Sequence, residues 1–298
     1  MPPVLFDEAF LRKLERLALL SRRAAAGQLQ GERRSARRGQ SVEFADYRQY
    51  VRGDDFRRID WNAFARLERF FIKLFVEERE LTLHLLLDNS PSMDWGEPNK
   101  LDLARRAAGA LGYVALLGLD RVALSPVGAN SSKNHLVQTV RGKKQAPQLF
   151  QNLLNLQPAT PNSASRPVAY QLGAYAANAV APGPLALFTD LMDDGWRAGV
   201  NALAGRGFEI TLVHLLSPDE IDPQLSGDFK LIDREHGGAV EISADYQTLL
   251  RYKQGLQTWQ DEWRRYCLAR KITYLPISSD LPLDDLLFDW LRRSGVLR

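Results

Sequence analysis

The sequence has almost no cysteine and no long apolar run free of breakers. Cys267 is the only cysteine among 298 residues, which excludes an intrachain disulfide and a cysteine-based zinc site and fits a reducing compartment. The longest uncharged stretch, 167–189, could span a bilayer by length, but Pro182-Gly183-Pro184 interrupts it. Charges interleave the apolar residues of 1–23, which argues against a signal peptide. We therefore expect a cytoplasmic protein without a membrane span.

Several catalytic motifs are also missing. The chain has no Gly-x4-Gly-Lys-Ser/Thr phosphate loop, no dinucleotide-binding glycine pattern after the first strand of the main domain, and no nucleophile–base–orienter set. An aspartyl nucleophile at Asp88 would need a second acid where Ser90 stands. His84 and His214 lie within apolar runs, where a buried structural imidazole is expected. The sequence therefore favours a protein that is not an enzyme.

Positive charge is concentrated near the start of the chain. The formal net charge is +3, yet residues 1–40 carry nine Lys and Arg against four Asp and Glu. The cluster in 33–38 could bind nucleic acid or acidic surfaces. No aromatic residue is interleaved with these arginines, however, as stacking on bases would require. A solvated link is the favoured interpretation, and nucleic-acid binding through 22–38 is the weaker alternative.

The hydrophobic pattern divides the chain into three parts. Residues 1–38 comprise an amphipathic helix over 7–26, with apolar residues at spacings of three and four, and a basic linker. Residues 39–80 mix aromatic and charged residues, which predicts short strands and turns packed on the main domain. Residues 81–298 form the main domain.

Strands and helices alternate along the main domain. The predicted strands are Leu81–Leu87, Arg121–Val127, His135–Val140, Leu185–Thr189, Phe208–Leu216 and Ile272–Ile277, with a hairpin over Phe229–Ile242. The predicted helices are Leu101–Leu119, Pro147–Leu156, Pro167–Val180, Trp196–Ala204, Tyr246–Arg270 and Leu283–Arg293. This order predicts an α/β fold with an open, mostly parallel, doubly wound sheet, in which 135–140 is an antiparallel edge strand.

Two predicted strands end in acidic residues, Asp88 and Asp190. Ligands bind such sheets beyond the carboxyl ends of the strands. Asp88 is followed two and four residues later by Ser90 and Ser92, so one loop presents three hard oxygens. Such oxygens suit Mg²⁺, or Mn²⁺ or Ca²⁺ in its place. The alternative is that the serines only cap the following helix.

The segment Asp88-Asn89-Ser90-Pro91-Ser92 resembles the metal-ion-dependent adhesion site of von Willebrand factor type A domains. The resemblance implies that both serines ligate the ion, that Asp190 acts mainly through water, and that a partner's carboxylate fills the open position. A hydroxyl from a later loop would be a third protein ligand. Here Ser165, Thr160 and Ser163 are the candidates, in that order of preference.

A second resemblance lies immediately upstream. Its residues are Glu43-Phe44, Arg48-Gln49-Tyr50, Gly53-Asp54-Asp55, Arg57-Arg58-Ile59-Asp60-Trp61, Ala65-Arg66 and Glu77-Glu78. Their order and spacing resemble the bacterial domain-of-unknown-function-58 family, with Arg57, Asp60, Trp61 and Arg66 as motif residues. The resemblance implies a MoxR-type AAA+ ATPase as partner.

Together these features lead us to expect a non-enzymatic, divalent-cation-dependent module that binds an acidic residue of a client protein and works with that ATPase. A metal-dependent hydrolase is the alternative, with Asp94, Asp193 or Asp194 as its base. We expect 39–80 to act as a clasp on the sheet, with Trp61 buried, rather than as a direct ligand site.

Overall fold

The computed structural model describes residues 5–28, 42–51, 54, 56, 59–77, 81–128, 138–159, 167–235 and 237–287. The chain divides into two compact units, a smaller one of residues 31–80 and a larger one of residues 1–30 and 81–298. The basic segment 33–38 and the motif residue Arg57 lie outside the described residues.

The smaller unit is built on an antiparallel strand pair, β1 (Val42–Gln49) and β2 (Phe71–Glu77), with a helix α2 (Trp61–Leu67) between them. The sequence pattern did not predict this helix. Asp60 begins it, because its carboxylate accepts hydrogen bonds from the backbone N–H groups of Asn62 (2.9 Å) and Ala63 (3.2 Å). Such a side-chain cap satisfies donors that the first helical turn leaves free. Asp60 thus has a structural role in the motif.

The aromatic residues of the smaller unit form a partly open cluster. The rings of Phe64 and Phe70 stack at 4.3 Å, and Trp61 meets both edge-on at 6.3 and 6.4 Å. The Trp61 side chain is nevertheless 61% exposed, so the expectation of a buried Trp61 is wrong. Trp61 and Arg66 both lie on exposed parts of α2. Trp61 occupies the first helical position of α2.

The larger unit contains a six-stranded sheet in the order β10-β7-β6-β3-β4-β5, parallel except for β5 at one edge. This confirms the predicted α/β class and the antiparallel edge strand. Its strands are β3 (Thr82–Asp88), β4 (Arg121–Val127), β5 (Gln138–Arg141), β6 (Pro184–Thr189), β7 (Glu209–Leu216) and β10 (Thr273–Ser278). A separate antiparallel pair consists of β8 (Gly227–Ile232) and β9 (Ala239–Ala244).

Helices cover both faces of this sheet. They are α1 (Glu8–Gln28), α3 (Lys100–Leu117), α4 (Ala146–Leu154), α5 (Val168–Asn178), α6 (Trp196–Arg206), α7 (Pro218–Ile221) and α8 (Tyr246–Leu268). Residues 283–287 are also helical. Successive side chains of β3 enter opposite cores: Leu85 and Leu87 pack with residues of α1, α3 and α4, and Leu86 packs with residues of α5, α6 and α8. Burial on both sides explains the continuous apolar run of this strand.

The two strand histidines are buried, as predicted. The Nδ1 atom of His84 hydrogen-bonds the Tyr175 hydroxyl, and that of His214 hydrogen-bonds the Tyr274 hydroxyl, each at 2.6 Å. Burial lowers the pKa of each histidine to about 4. Both imidazoles are therefore neutral core groups near neutral pH.

The strand order places a topological switch point between β3 and β6. From β3 the chain proceeds to β4 and β5 on one side and later to β6, β7 and β10 on the other. The carboxyl ends of β3 and β6 are where open α/β sheets bind ligands. None of the helices within the described ranges has the length and apolarity needed to cross a membrane.

Candidate metal centre

The loop after β3 is fixed by its neighbours on both sides. The backbone N–H of Asn89 donates to Val127 O (2.9 Å), and its carbonyl accepts from the N–H of Ala159 (2.8 Å). Gly128, with φ of +132°, lies so close that a Cβ there would be 3.2 Å from Asp88 Oδ1 and 3.1 Å from Ser90 N. A glycine permits both this backbone conformation and this close approach. The side-chain amide of Gln171 secures Gly128 by bonding both its N–H and its carbonyl.

Asp88 is buried, with 1% of its surface exposed. Its Oδ1 accepts a hydrogen bond from Ser90 N (2.9 Å), and its Oδ2 accepts one from Thr189 Oγ1 (2.8 Å). Burial, reinforced by the nearby charge of Asp190, raises the pKa of Asp88 to about 7. Hydrogen bonds from the backbone and side chain of Ser90 and from the side chain of Thr189 offset this rise in pKa only in part. The carboxylate is therefore short of positive charge, which a bound cation could supply.

The two serine hydroxyls lie side by side beyond Asp88. Ser90 Oγ and Ser92 Oγ are 3.1 Å apart. Two ligands at neighbouring corners of an octahedron with Mg²⁺–oxygen distances of about 2.0–2.1 Å are separated by about 3 Å. The spacing of the hydroxyls therefore fits two ligands of one Mg²⁺ ion. Asp88, Ser90 and Ser92 are the described residues that could hold such an ion.

The alternative, that these serines merely cap a helix, does not match the local structure. Ser90 precedes a short 3₁₀ turn, Pro91–Met93, but its side chain makes no capping hydrogen bond. The following helix α3 is capped by Asn99, whose side chain accepts from the N–H of Asp102. The serine hydroxyls instead hydrogen-bond each other, and the Ser90 side chain also hydrogen-bonds Asp88.

Asp190 lies in a buried ion pair. Its Oδ2 accepts from Lys100 Nζ at 2.9 Å, and the same ammonium donates to Glu220 Oε1 at 2.6 Å. Burial alone would lower the pKa of Lys100, but the two carboxylates outweigh it and raise that pKa above its usual value. The resemblance implied an aspartate acting on a metal through water; here a permanent protein cation contacts Asp190 directly.

The backbone around Asp190 is unusual. Leu191, the next residue, has φ of +61° and is buried. This left-handed conformation is uncommon for a residue other than glycine, asparagine or aspartate. The hydroxyl of Thr189 accepts from Leu191 N (2.9 Å) while it donates to Asp88. Thr189 therefore couples the loops after β3 and β6, and strain of this kind is frequent at functional sites.

The sequence did not predict Lys100, Thr189 or Glu220. Lys100 begins α3, the end of a helix where a cation is unfavourable, and only contacts with distant residues explain it. Glu220 belongs to a capping box in which Ser217 Oγ accepts from Glu220 N (3.3 Å) and Glu220 Oε2 accepts from Ser217 N (2.7 Å). The Ser-x-x-Glu spacing is a readable signal for that helix start, but not for its contact with Lys100.

The three carboxylates considered as hydrolytic bases have other roles or lie exposed. Asp193 Oδ1 accepts from the N–H of Gly195 (2.6 Å) within its own turn. Asp94 accepts from the Asn99 side chain (3.1 Å), and Asp194 is exposed. The candidates for a third metal-ligating hydroxyl, Thr160, Ser163 and Ser165, lie outside the described residues.

No cluster of three or more His, Cys, Asp or Glu side chains suited to a metal occurs in the part of the chain that the structure describes. The candidate ligands are instead two hydroxyls and one carboxylate. Such a set is characteristic of hard-cation sites, in which waters complete the shell.

Comparison with solved structures finds distant similarity. The conserved hypothetical protein BatB of Bacteroides thetaiotaomicron shares 14% identity at a TM-score of 0.44, over 72% of this chain and 98% of that one. An aerotolerance-related membrane protein of Bacteroides fragilis, with multiple mutations to serines, shares 14% identity at a TM-score of 0.42, over 71% and 99% of the two chains.

Relatives found by sequence share a higher identity with this chain. Uncharacterized proteins of Mycobacterium bovis and Mycobacterium tuberculosis are 27% identical over 242 residues, which is 80% of this chain and 75% of theirs. The family described as "Protein of unknown function DUF58" matches residues 46–261. This match includes Asp60, Trp61 and Arg66 of the upstream motif and the whole of the loop that follows β3. Because it covers well over half of the sequence, the chain belongs to the DUF58 family.

Proposed function

We propose that this protein is a non-enzymatic, divalent-cation-dependent protein-binding module with a von Willebrand factor type A-like domain. Asp88, Ser90 and Ser92 would hold Mg²⁺, and a carboxylate of a partner would enter its open coordination position. The observation that carries the proposal is the 3.1 Å spacing of the serine hydroxyls beside a buried carboxylate at the switch point of the sheet.

The charge balance around Asp88 supports a cation there. Lys100 already neutralises part of the charge on Asp190 and Glu220. Among the described residues, by contrast, the Asp88 carboxylate accepts hydrogen bonds only from uncharged donors. A divalent ion would therefore compensate the carboxylate that the protein leaves uncompensated. A partner carboxylate would in turn bind an ion that still carries excess positive charge.

The wider role follows from the family resemblance. We propose that the module works with a MoxR-type AAA+ ATPase in the assembly or maturation of client proteins that offer an acidic residue. The hydrolase alternative would require a base near the ion, and Asp193, which the sequence offers for that role, bonds its own turn instead.

Calorimetric titration of the full chain with Mg²⁺ tests the site. We expect Ser90→Ala/Ser92→Ala to weaken Mg²⁺ binding by more than the roughly 10–100-fold that losing an outer-shell partner costs, because two direct ligands disappear. The matched control Asp193→Asn, a carboxylate change in the loop after β6, should bind as the wild type does. Equal binding by the double variant and the wild type would show that the serines do not ligate the ion.

Partner capture tests the function. A MoxR-type ATPase from the same genome should co-purify with the chain in Mg²⁺, and should be lost in chelator and with Ser90→Ala/Ser92→Ala. Turnover of phosphoesters or nucleotides that needs Mg²⁺ and disappears in the double variant would establish the hydrolase in place of the binding module.

A further inference from the structure

The tip of the β8–β9 hairpin contacts the loop that carries the candidate metal ligands. Glu235 Oε1 accepts a hydrogen bond from the backbone N–H of Ser92 at 3.0 Å. The preceding residue, Arg234, lies over the Trp95 ring at 5.3 Å and pairs with Asp94 at 3.7 Å. A carboxylate and a cation at one hairpin tip thus contact three residues within 92–95.

The Glu235 carboxylate lies beside the loop that carries the candidate ligands. It is only partly exposed, although most of its hairpin is exposed. The hydrogen bond uses one of its two carboxylate oxygens, and no described residue bonds the other. The group that it contacts, Ser92, is itself one of the candidate metal ligands. A carboxylate that reaches this loop from outside is the kind of group that the open position of such an ion accepts.

We propose that Glu235 is a carboxylate ligand supplied by the chain itself to the ion held by Asp88, Ser90 and Ser92. It fills, in the isolated protein, the position that a partner carboxylate enters during capture. The proposal rests on the proposed function and adds its regulation: a partner binds by displacing the hairpin tip.

The hairpin is attached in a way that allows this displacement. Within the described sheets, β8 and β9 pair only with each other and are not part of the six-stranded sheet. The side chains of the hairpin are mostly exposed, so moving it uncovers little apolar surface. The Arg234–Asp94 pair joins two side chains that are each close to half exposed, and ion pairs of that kind contribute little.

Mn²⁺ is the probe for this inference, because it accepts the same oxygen ligands and is paramagnetic. In the full chain without a partner, we expect Glu235→Gln to weaken Mn²⁺ binding about tenfold. Water-proton relaxation should report one more water bound to the ion, since water replaces the lost carboxylate. Glu241→Gln, which removes a charge from an exposed position of the same hairpin, is the matched control and should behave as the wild type. Arg234→Ala, which loosens the tip but keeps the carboxylate, should have an intermediate effect.

A second measurement needs no metal. In chelator, hydrogen exchange of the Ser92 amide should be severalfold faster in Glu235→Ala than in Glu241→Ala, because alanine at 235 has no side-chain acceptor for the Ser92 N–H. Equal Mn²⁺ affinity and equal water number in Glu235→Gln and the wild type would overturn the inference while leaving the metal site intact. Failure of the wild type to bind Mn²⁺ would overturn the proposed function and this inference together.

Discussion

Replacing Asp88 by asparagine should stabilise the metal-free protein at neutral and alkaline pH. The unperturbed pKa of this group is 3.8, and burial raises it in the folded protein to about 7. A carboxyl with a raised pKa contributes its full stability below about pH 3.8, where it is protonated in both states. That contribution is lost as the pH rises through about 7, because the folded protein must then hold a buried charge.

The magnitude follows from the size of the pKa difference. Each tenfold change in an ionisation constant corresponds to about 1.4 kcal/mol, so the rise from 3.8 to about 7 corresponds to roughly 4 kcal/mol. This is an upper bound, because Lys100 neutralises part of the Asp190 charge that acts on Asp88. Asparagine keeps an acceptor for Ser90 N and can donate to the Thr189 hydroxyl, so little packing is lost.

Urea denaturation in chelator, followed by circular dichroism from pH 4 to pH 8, measures the effect. The free energy of unfolding of Asp88→Asn should exceed that of the wild type by up to roughly 4 kcal/mol at pH 8. The difference should shrink toward zero at about pH 4. Other titrating groups are common to both proteins and cancel in the comparison.

Magnesium should narrow this difference in stability. At 100 times the dissociation constant, a ligand that binds only the folded state stabilises it by about 2.7 kcal/mol. The wild type should gain this stability and Asp88→Asn should not. A wild type that is at least as stable as Asp88→Asn at pH 8 in chelator would refute the argument that ionised Asp88 is uncompensated.

Three further predictions concern stability. Lys100→Met should lower the free energy of unfolding by about 3–5 kcal/mol, since two carboxylates lose their buried cation. The double variant Lys100→Met/Glu220→Gln should recover part of that stability. A loss below about 1 kcal/mol in Lys100→Met would contradict the role of the ion pair. Trp61→Ala should cost well under the roughly 3–5 kcal/mol typical of a buried large aromatic, because Trp61 is largely exposed; a melting experiment showing the full cost would mean that the indole is buried in solution. The stability that neutral His214 contributes should be lost as the pH drops from 6.5 toward 4, since the imidazole accepts a proton more readily in the unfolded state than in the folded one. In acid denaturation, the wild type should therefore lose stability relative to His214→Gln over this range.

The positions of β3, β4, β6 and β7 were predictable because most of their residues are buried. β3 is buried on both faces, so its sequence is an unbroken apolar run, and the Gly237-Gly238 pair between two alternating segments predicted the β8–β9 hairpin. Helix α2 was missed because the block around it mixes aromatic and charged residues without a clear period. Its one local signal, an aspartate placed before the first turn, is too common to identify a helix by itself.

The candidate metal ligands could be predicted from the sequence, but the residues that contact them could not. Asp88, Ser90 and Ser92 lie within five residues, so their chemistry is visible in the sequence. The contact of Lys100 with Glu220 joins residues 120 positions apart, and that of Ser92 with Glu235 joins residues 143 apart. Only the fold brings such pairs together, because each depends on which loops meet at one edge of the sheet.

The two acidic strand ends therefore have different electrostatic roles. Asp190 has a direct partner in the buried ammonium of Lys100. Asp88 has hydrogen bonds but no cationic partner in the part of the chain that the structure describes, and its pKa of about 7 makes its charge depend on what binds. If Mg²⁺ binds at Asp88, it must displace a proton from part of the population at neutral pH, so its affinity should rise with pH up to about 8 and then level off. Calorimetry in buffers of different ionisation enthalpy would detect that proton release, and its absence would show that the ion binds without Asp88.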